Sequence, residues 1–146
     1  MIPLEKYKEI LEQMPIVCVE LLIQHDGKIL LVKRKDKPAQ GTWWLPGGRI
    51  LKNESQEAAA QRLALREVGF DIEIVRQVGA YDEIFKEGPF DIKTGLHSVC
   101  VEYLCRPKGS VIVKLDTTSA DCRWIDKVPA DLHPVIKQIL TDAHIF

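Results

Sequence analysis

The segment from Gly47 to Gly69 combines glycines, carboxylates and guanidinium groups at a spacing that suits cation and phosphate chemistry. Its paired glycines, Gly47 and Gly48, let the backbone come close to a metal ion or a phosphate. A carboxylate such as that of Glu67 can bind a hard divalent cation, which prefers oxygen ligands. We therefore expect this segment to hold a divalent cation together with an anionic substrate.

Two charged residues of the segment, Arg62 and Glu67, fall on different sides of a predicted helix. Their five-residue separation places the side chains about 140° apart on a helix. They are therefore not a simple surface ion pair. We expect Arg62 to reach back to Glu54 and brace the loop, and Glu67 to direct its carboxylate at the cation.

The rest of the chain supplies the elements that must position this segment. Helices are predicted over Leu4–Met14, from Asn53 or Ser55 to about Val68, and over Asp131–Asp142. Strands are predicted over Pro15–Gln24, Lys28–Arg34, Ile72–Val78, His97–Cys105, Val111–Val113 and Cys122–Ile125, with a long polar loop over Tyr81–Gly95. Strands on both sides of a central helix, with helices at both ends, predict an α/β fold with a mixed sheet between helices.

Length and composition indicate one domain over residues 1–146, with 46% hydrophobic and 28% charged residues. A net charge of −1 gives no basic surface for duplex nucleic acid, and no apolar run is long enough to span a membrane. Five charged residues before Met14 exclude a signal peptide, so a cytoplasmic location is expected. Four scattered cysteines without a CxxC pair favour reduced thiols over zinc or disulfides.

The central segment resembles the box of the Nudix (MutT-like) hydrolases, which reads Gly, five residues, Glu, seven residues, Arg-Glu, an aliphatic, any residue, Glu-Glu, any residue, Gly, an aliphatic. Five residues match at the correct spacing: Gly48, Glu54, Arg62, Glu67 and Gly69. Leu63 and Arg66 stand where the box has glutamates. The resemblance implies a Nudix-type α/β/α sandwich and a divalent-cation-dependent hydrolase of a nucleoside diphosphate linked to another group. Gly48, Glu54 and Gly69 are interpreted as the structural brace of the motif.

The two replacements make the chain similar to the GDP-mannose mannosyl hydrolases, which also lack those glutamates and retain the last one. The likeness continues through Lys33-Arg34, 38–41, Trp43, 45–49 and Arg123-Trp124. It implies a homodimer that acts on a small-molecule nucleotide sugar such as GDP-mannose.

The same resemblance implies roles for individual residues. One Mg²⁺, or alternatively Mn²⁺, is expected on the diphosphate, held by the Gly47 carbonyl and the Glu67 carboxylate. Arg34, Arg49 and Arg62 match functional arginines, and Arg34 and Arg49 would bind phosphate or leaving-group charge. Glu20 matches an acidic position that contacts the nucleotide.

The general base is the point where the match ends. Thr118 and Ser119 stand where that branch has a metal-binding Gln and a catalytic His, and Ser cannot act as a base near pH 7 without help. The candidate bases in this chain are Glu83, Glu87, Asp91, His97 and Asp121. Arg66 is expected on a solvated helix face or paired with neighbours of Arg62, with no contact to substrate. One of Trp43 and Trp44 is expected in the core and the other on the surface.

Three functional hypotheses follow. The first is hydrolysis of a nucleotide sugar with attack at the anomeric carbon. The second is an ordinary Nudix pyrophosphatase that attacks phosphorus. The third is a ligand-binding or regulatory module that has lost catalysis, suggested by the missing glutamates and the missing His. A multi-metal triphosphatase is disfavoured because its carboxylates are absent.

Overall fold

A mixed β-sheet lies between helices in the computed structural model, which describes all 146 residues. The helices are α1 (Leu4–Gln13), α2 (Gln56–Glu67) and α3 (Pro134–Asp142). The strands are β1 (Ile16–His25), β2 (Lys28–Arg34), β3 (Trp43–Trp44), β4 (Gly47–Arg49), β5 (Ile72–Phe85), β6 (Leu96–Pro107) and β7 (Ser119–Ile125). The predicted α/β architecture is confirmed. None of these helices has the length and apolar composition that crossing a membrane would require.

The sheet runs in the order β3-β2-β1-β6-β5, with β4 also paired to β1 and β7 to β2. Strands β1 and β6 are parallel and every other pair is antiparallel. The β1–β6 register places Cys18 opposite Cys100 and Glu20 opposite Glu102. Because side chains alternate between the two faces of a strand, these four residues share one face.

Each face of the sheet is covered by one helix. On one face, α2 packs Leu63 and its alanines against Val19 and Leu21 of β1. On the other face, α3 packs Ile136 and Ile139 against the even-numbered side of β1 and its neighbours. The buried residues of β1 on the α2 face are all apolar, whereas the α3 face buries Glu20 beside Cys18 and Leu22.

The ends of α2 are fixed by local hydrogen bonds. Ser55, one of the two predicted caps, accepts the Ala58 amide on its Oγ at 3.1 Å. Gly69 follows the helix with φ of +82°, a conformation that costs glycine little. Its amide donates to the Ala64 carbonyl at 3.1 Å and closes the last turn. The glycine stop predicted from the sequence is confirmed.

Several predicted elements or bounds are wrong. Strand β7 begins at Ser119 and not at Cys122. Strand β5 continues to Phe85, because residues 81–85 pair with β6, so the expected loop is confined to residues 86–95. Residues 111–113 form no strand: Val113 packs its side chain on the α2-side core, but the backbone there joins no ladder. Helix α3 begins at Pro134, because the His133 ring caps it by accepting the Val135 amide at 3.1 Å.

Candidate active site

The outer edge of β4 faces α2. Pro46 accepts a hydrogen bond from β1 at 2.8 Å and Ile50 donates one at 2.9 Å. Ladder bonds alternate along an antiparallel strand, so Gly47 and Arg49 turn their N–H and C=O groups away from β1. Both residues therefore present backbone polar groups to the helix that carries Arg62 and Glu67.

Side chains of α2 contact this backbone edge. The Gly47 amide donates to Glu67 Oε2 at 2.8 Å, and Arg62 Nη2 donates to the Arg49 carbonyl at 2.9 Å. The Gly47 carbonyl points to the same edge as its amide, since both groups of an extended residue face one side of the strand. The structure thus brings the Glu67 carboxylate and the Gly47 carbonyl together, two oxygen donors of the kind a hard cation binds.

Arg62 and Glu54 form a two-point ion pair that braces the loop before α2. Arg62 Nε lies 2.7 Å from Glu54 Oε2, and Nη2 lies 2.9 Å from Oε1. Glu54 Oε1 also accepts the Leu51 amide at 3.1 Å. The Arg62 hydrogen bonds are the main reason that the pKa of Glu54 is lowered to about 2. Glu54 therefore stays ionised and holds the loop.

Glu67 is buried, with 6% of its surface exposed. Burial raises the pKa of Glu67, while the Gly47 amide and the charge of Arg66 oppose that rise. Arg66 Nη2 lies 3.4 Å from Glu67 Oε1, and Arg66 Nε lies 3.8 Å from an Asp116 oxygen. Arg66 lies on an exposed face of α2, as expected, and it also contacts Asp116, because the segment before β7 brings Asp116 over the end of α2.

Close packing explains both glycines of the loop. A Cβ at Gly47 would overlap the Val19 carbonyl oxygen of β1. A Cβ at Gly48 would lie 2.9 Å from the Leu63 side chain and 3.2 Å from Arg66 Nη2. Only residues without a side chain let β4 lie between β1 and α2 at this distance.

A cavity of about 750 Å³ collects the residues that the sequence singled out. The predicted site residues that line it are Glu20, Arg34, Gly47, Gly48, Arg49, Arg62 and Glu67. Glu54 and Gly69 lie outside its lining, in keeping with structural roles in the motif. Tyr7 and Leu11 of α1 also line the cavity, a contribution that the sequence did not reveal.

Two arginines of the cavity are held in place by neighbours. Arg34 Nε donates to the Pro38 carbonyl at 2.6 Å, which leaves both Nη groups for another acceptor. The Arg49 guanidinium lies 4.9 Å from the centre of the Tyr7 ring, a cation–π contact. Both cations are thus oriented at the wall of the cavity before any anion binds.

The tryptophan pair before β4 divides as expected between core and surface. Trp44 is 2% exposed and donates its indole N–H to Glu20 Oε2 at 2.8 Å. Trp43 is half-buried between two cations, with Arg123 4.5 Å and Lys33 5.9 Å from its ring centre. Trp44 therefore orients an acid at the cavity, whereas Trp43 lies against basic side chains.

The structure separates the candidate bases by position. Glu83 and Asp91 line the cavity, as do Thr118 and Ser119. The remaining candidates, Glu87, His97 and Asp121, do not line it. Glu83 is not in a loop, as the sequence suggested, but in β5, where 6% of its surface is exposed.

Three buried glutamates lie on the α3 face of the sheet beside the cavity. Glu20, Glu83 and Glu102 are 7%, 6% and 0% exposed. Burial raises the pKa of Glu83 to about 10 and that of Glu102 to about 8, and it raises the pKa of Glu20 well above the usual range. Without a bound cation, this raised pKa disfavours Glu83 as a general base near pH 7. The sequence alone did not bring these acids together, because they come from three strands.

A model of the NUDIX domain family matches residues 13–142 of the chain. The low-salt glycan biosynthesis protein Agl8 of Haloferax volcanii is 27% identical over 139 residues, which cover 95% of this chain and 88% of that protein. An ADP-ribose pyrophosphatase of Methanocaldococcus jannaschii is 38% identical over 78 residues, covering 53% of this chain and 45% of that protein.

Solved structures show the same likeness. The crystal structure of a MutT NUDIX hydrolase from Burkholderia pseudomallei superposes with a TM-score of 0.74 at 30% identity. The match covers 89% of this chain and 98% of that one.

Proposed function

Because the chain belongs to the Nudix family and is a Nudix hydrolase, we propose that its substrate is a nucleoside diphosphate joined to a sugar, such as GDP-mannose. The observation that carries this proposal is the joint presence of Glu67, Gly47, Arg34 and Arg49 in one cavity. Its volume of about 750 Å³ falls in the range of small-molecule sites. The relative Agl8, named for glycan biosynthesis, favours a sugar as the second group.

One divalent cation, Mg²⁺ or Mn²⁺, fits the oxygen donors beside β4. The Glu67 carboxylate and the Gly47 carbonyl offer oxygen ligands at the edge of β4, and such ions keep several waters besides. Leu63 is fully buried in the core and Arg66 is cationic, so neither adds a ligand where the family has glutamates. When bound, the ion would polarise the diphosphate and stabilise charge on the leaving nucleotide.

The arginines divide into two roles. Arg34 and Arg49 are oriented toward the cavity and would bind phosphate oxygens, for which guanidinium geometry is well suited. Arg62 is occupied by Glu54 and by the Arg49 carbonyl. We therefore assign Arg62 to positioning the loop that carries Arg49.

The nucleotide end of the substrate is assigned to Glu20. Its Oε2 is fixed by the Trp44 indole, and its Oε1 has no partner within the chain. A purine N–H group can donate a hydrogen bond to this oxygen as long as no cation occupies it. We also expect a single domain over residues 1–146 that forms a homodimer, which light scattering of the purified protein would test.

The test is turnover of a panel of nucleotide sugars, ADP-ribose and nucleoside triphosphates with Mg²⁺ in ¹⁸O-labelled water, followed by phosphorus NMR. We expect release of a nucleotide from a nucleotide sugar. Label on phosphate indicates attack at phosphorus, and unlabelled phosphate indicates attack at carbon. A nucleotide sugar that binds and is recovered intact, with no turnover of any compound, would contradict the proposal and identify a binding module.

A further inference from the structure

Four side chains meet on the α3 face of the sheet, at the wall of the cavity. Glu20 and Cys18 come from β1, Cys100 from β6 and Glu83 from β5; we call this set the acid–thiol cluster. One ligand atom each from Glu20, Glu83 and Cys100 lies within 4.8 Å of the other two. We infer that the acid–thiol cluster is a second metal site, which binds a thiolate-preferring divalent ion of the zinc class.

Unpartnered oxygens in the cluster call for a ligand. When the carboxyls are ionised, Glu20 Oε1 and Glu83 Oε2 have no hydrogen-bond donor, although both residues are more than nine-tenths buried. Glu102, next to Glu20 across the β1–β6 ladder, is fully buried and has two such oxygens. None of the three carboxyls takes part in an ion pair. Buried polar groups without partners are costly, and a bound cation would supply the missing interaction.

The types of donor atom in the cluster determine which metal ion it prefers. Thiolate together with carboxylate suits zinc and its close relatives, whereas magnesium and calcium take oxygen donors alone. A tetrahedral zinc ion needs donor atoms about 3.5 Å apart, given its usual bond lengths. The cluster atoms lie within 4.8 Å of one another, somewhat wider than that spacing, so a bound ion would draw the side chains together. Cys18 lies opposite Cys100 in the register and is placed to be a fourth ligand.

This site differs from the one at Glu67. The Glu67 carboxylate faces the edge of β4 and has only oxygen donors beside it, whereas the cluster lies on the α3 face of β1, β5 and β6. The spacing of the cysteines along the chain does not reveal the cluster, because its members are brought together by the parallel pairing of β1 and β6.

Cobalt titration of the full-length protein tests the inference, because Co²⁺ bound to thiolate gives a charge-transfer absorption that oxygen ligands do not. With excess Mg²⁺ present to occupy the Glu67 site, we expect one equivalent of Co²⁺ to produce this band, and Zn²⁺ to remove it. The Cys18→Ser/Cys100→Ser variant should lose the band. Glu83→Gln, which retains both thiols, should weaken Co²⁺ affinity at least about tenfold.

Cys105→Ser is the matched control, because Cys105 is a buried cysteine of β6 on the opposite face of the sheet. It should leave the band unchanged. Absence of a thiolate band at stoichiometric Co²⁺ would overturn the inference. A band that survives in the double-cysteine variant or disappears in Cys105→Ser would also overturn it. The same holds if Glu83→Gln leaves the Co²⁺ affinity unchanged.

Discussion

At the scale of single residues, Glu54 and Arg62 show how a short spacing becomes a fixed contact. They lie eight positions apart, one at the helix entrance and one two turns in, so the chain brings them together locally. Arg66 and Asp116 are 50 positions apart, and Glu20 and Glu83 are 63 apart. The first pair follows from the sequence, whereas the others depend on tertiary packing and could not be predicted.

The Glu54–Arg62 brace predicts a particular acid response. The pKa of Glu54 falls from 4.5 to about 2 on folding, so its stabilisation is present above pH 4.5 and is lost as the pH falls toward 2. In urea unfolding at successive pH values, the wild type should lose stability over this range more steeply than Glu54→Gln. Parallel curves for the two proteins would show that the brace contributes no stability.

The raised pKa of Glu83 predicts that stability falls as the pH rises. Its pKa is raised to about 10, so the folded chain keeps a proton that the unfolded chain releases near pH 4.5. The wild type therefore loses stability as the pH rises, by up to about 1.4 kcal/mol per pH unit from this group, and Glu83→Gln lacks this contribution. Chemical denaturation in EDTA at pH 5 to 9 measures the difference in unfolding free energy between the wild type and Glu83→Gln. A constant difference across that range would mean that Glu83 is already ionised.

At the scale of elements, α2 and its flanking loop are the part that the sequence predicts best. Its helix-forming alanines, its serine cap and its glycine stop are all local signals, and the observed helix ends beside them. Strand β5 was predicted too short because it points a glutamate inward at position 83, which hides the apolar alternation of a half-buried strand. Hydrophobic patterns therefore fail to predict the full extent of elements that bury polar residues.

Gly69 gives an element-level prediction. Gly69→Ala should destabilise the protein by about 1 kcal/mol because of its positive φ, and further because a Cβ would lie 2.8 Å from Lys114 Cβ. Gly41→Ala is the matched control, since Gly41 has φ of +78° and nothing within 4 Å. The difference between the two variants in thermal stability measures the cost of the contact with Lys114. Equal losses would mean that the Lys114 segment moves aside freely.

At the scale of the whole molecule, one cavity unites residues from α1, α2, all seven strands and the loops between them. The family and its fold follow from a 23-residue segment, Gly47–Gly69, because that segment encodes a loop and a helix that must lie beside the sheet. The Tyr7 contact with Arg49 and the buried acids do not follow from it. They depend on how the first helix and three strands distant in sequence pack together. Local sequence patterns do not predict such packing.

The central claim is that Glu67, with the Gly47 carbonyl, holds the one catalytic cation. Its most direct test is Mg²⁺-dependent turnover of a nucleotide sugar by Glu67→Gln beside Glu57→Gln, an exposed glutamate on the same helix. We predict that Glu67→Gln lowers kcat on the order of 1,000-fold with unfolding stability retained, while Glu57→Gln remains near wild type. Near-normal turnover by Glu67→Gln would contradict the account, because the cation would then be held elsewhere.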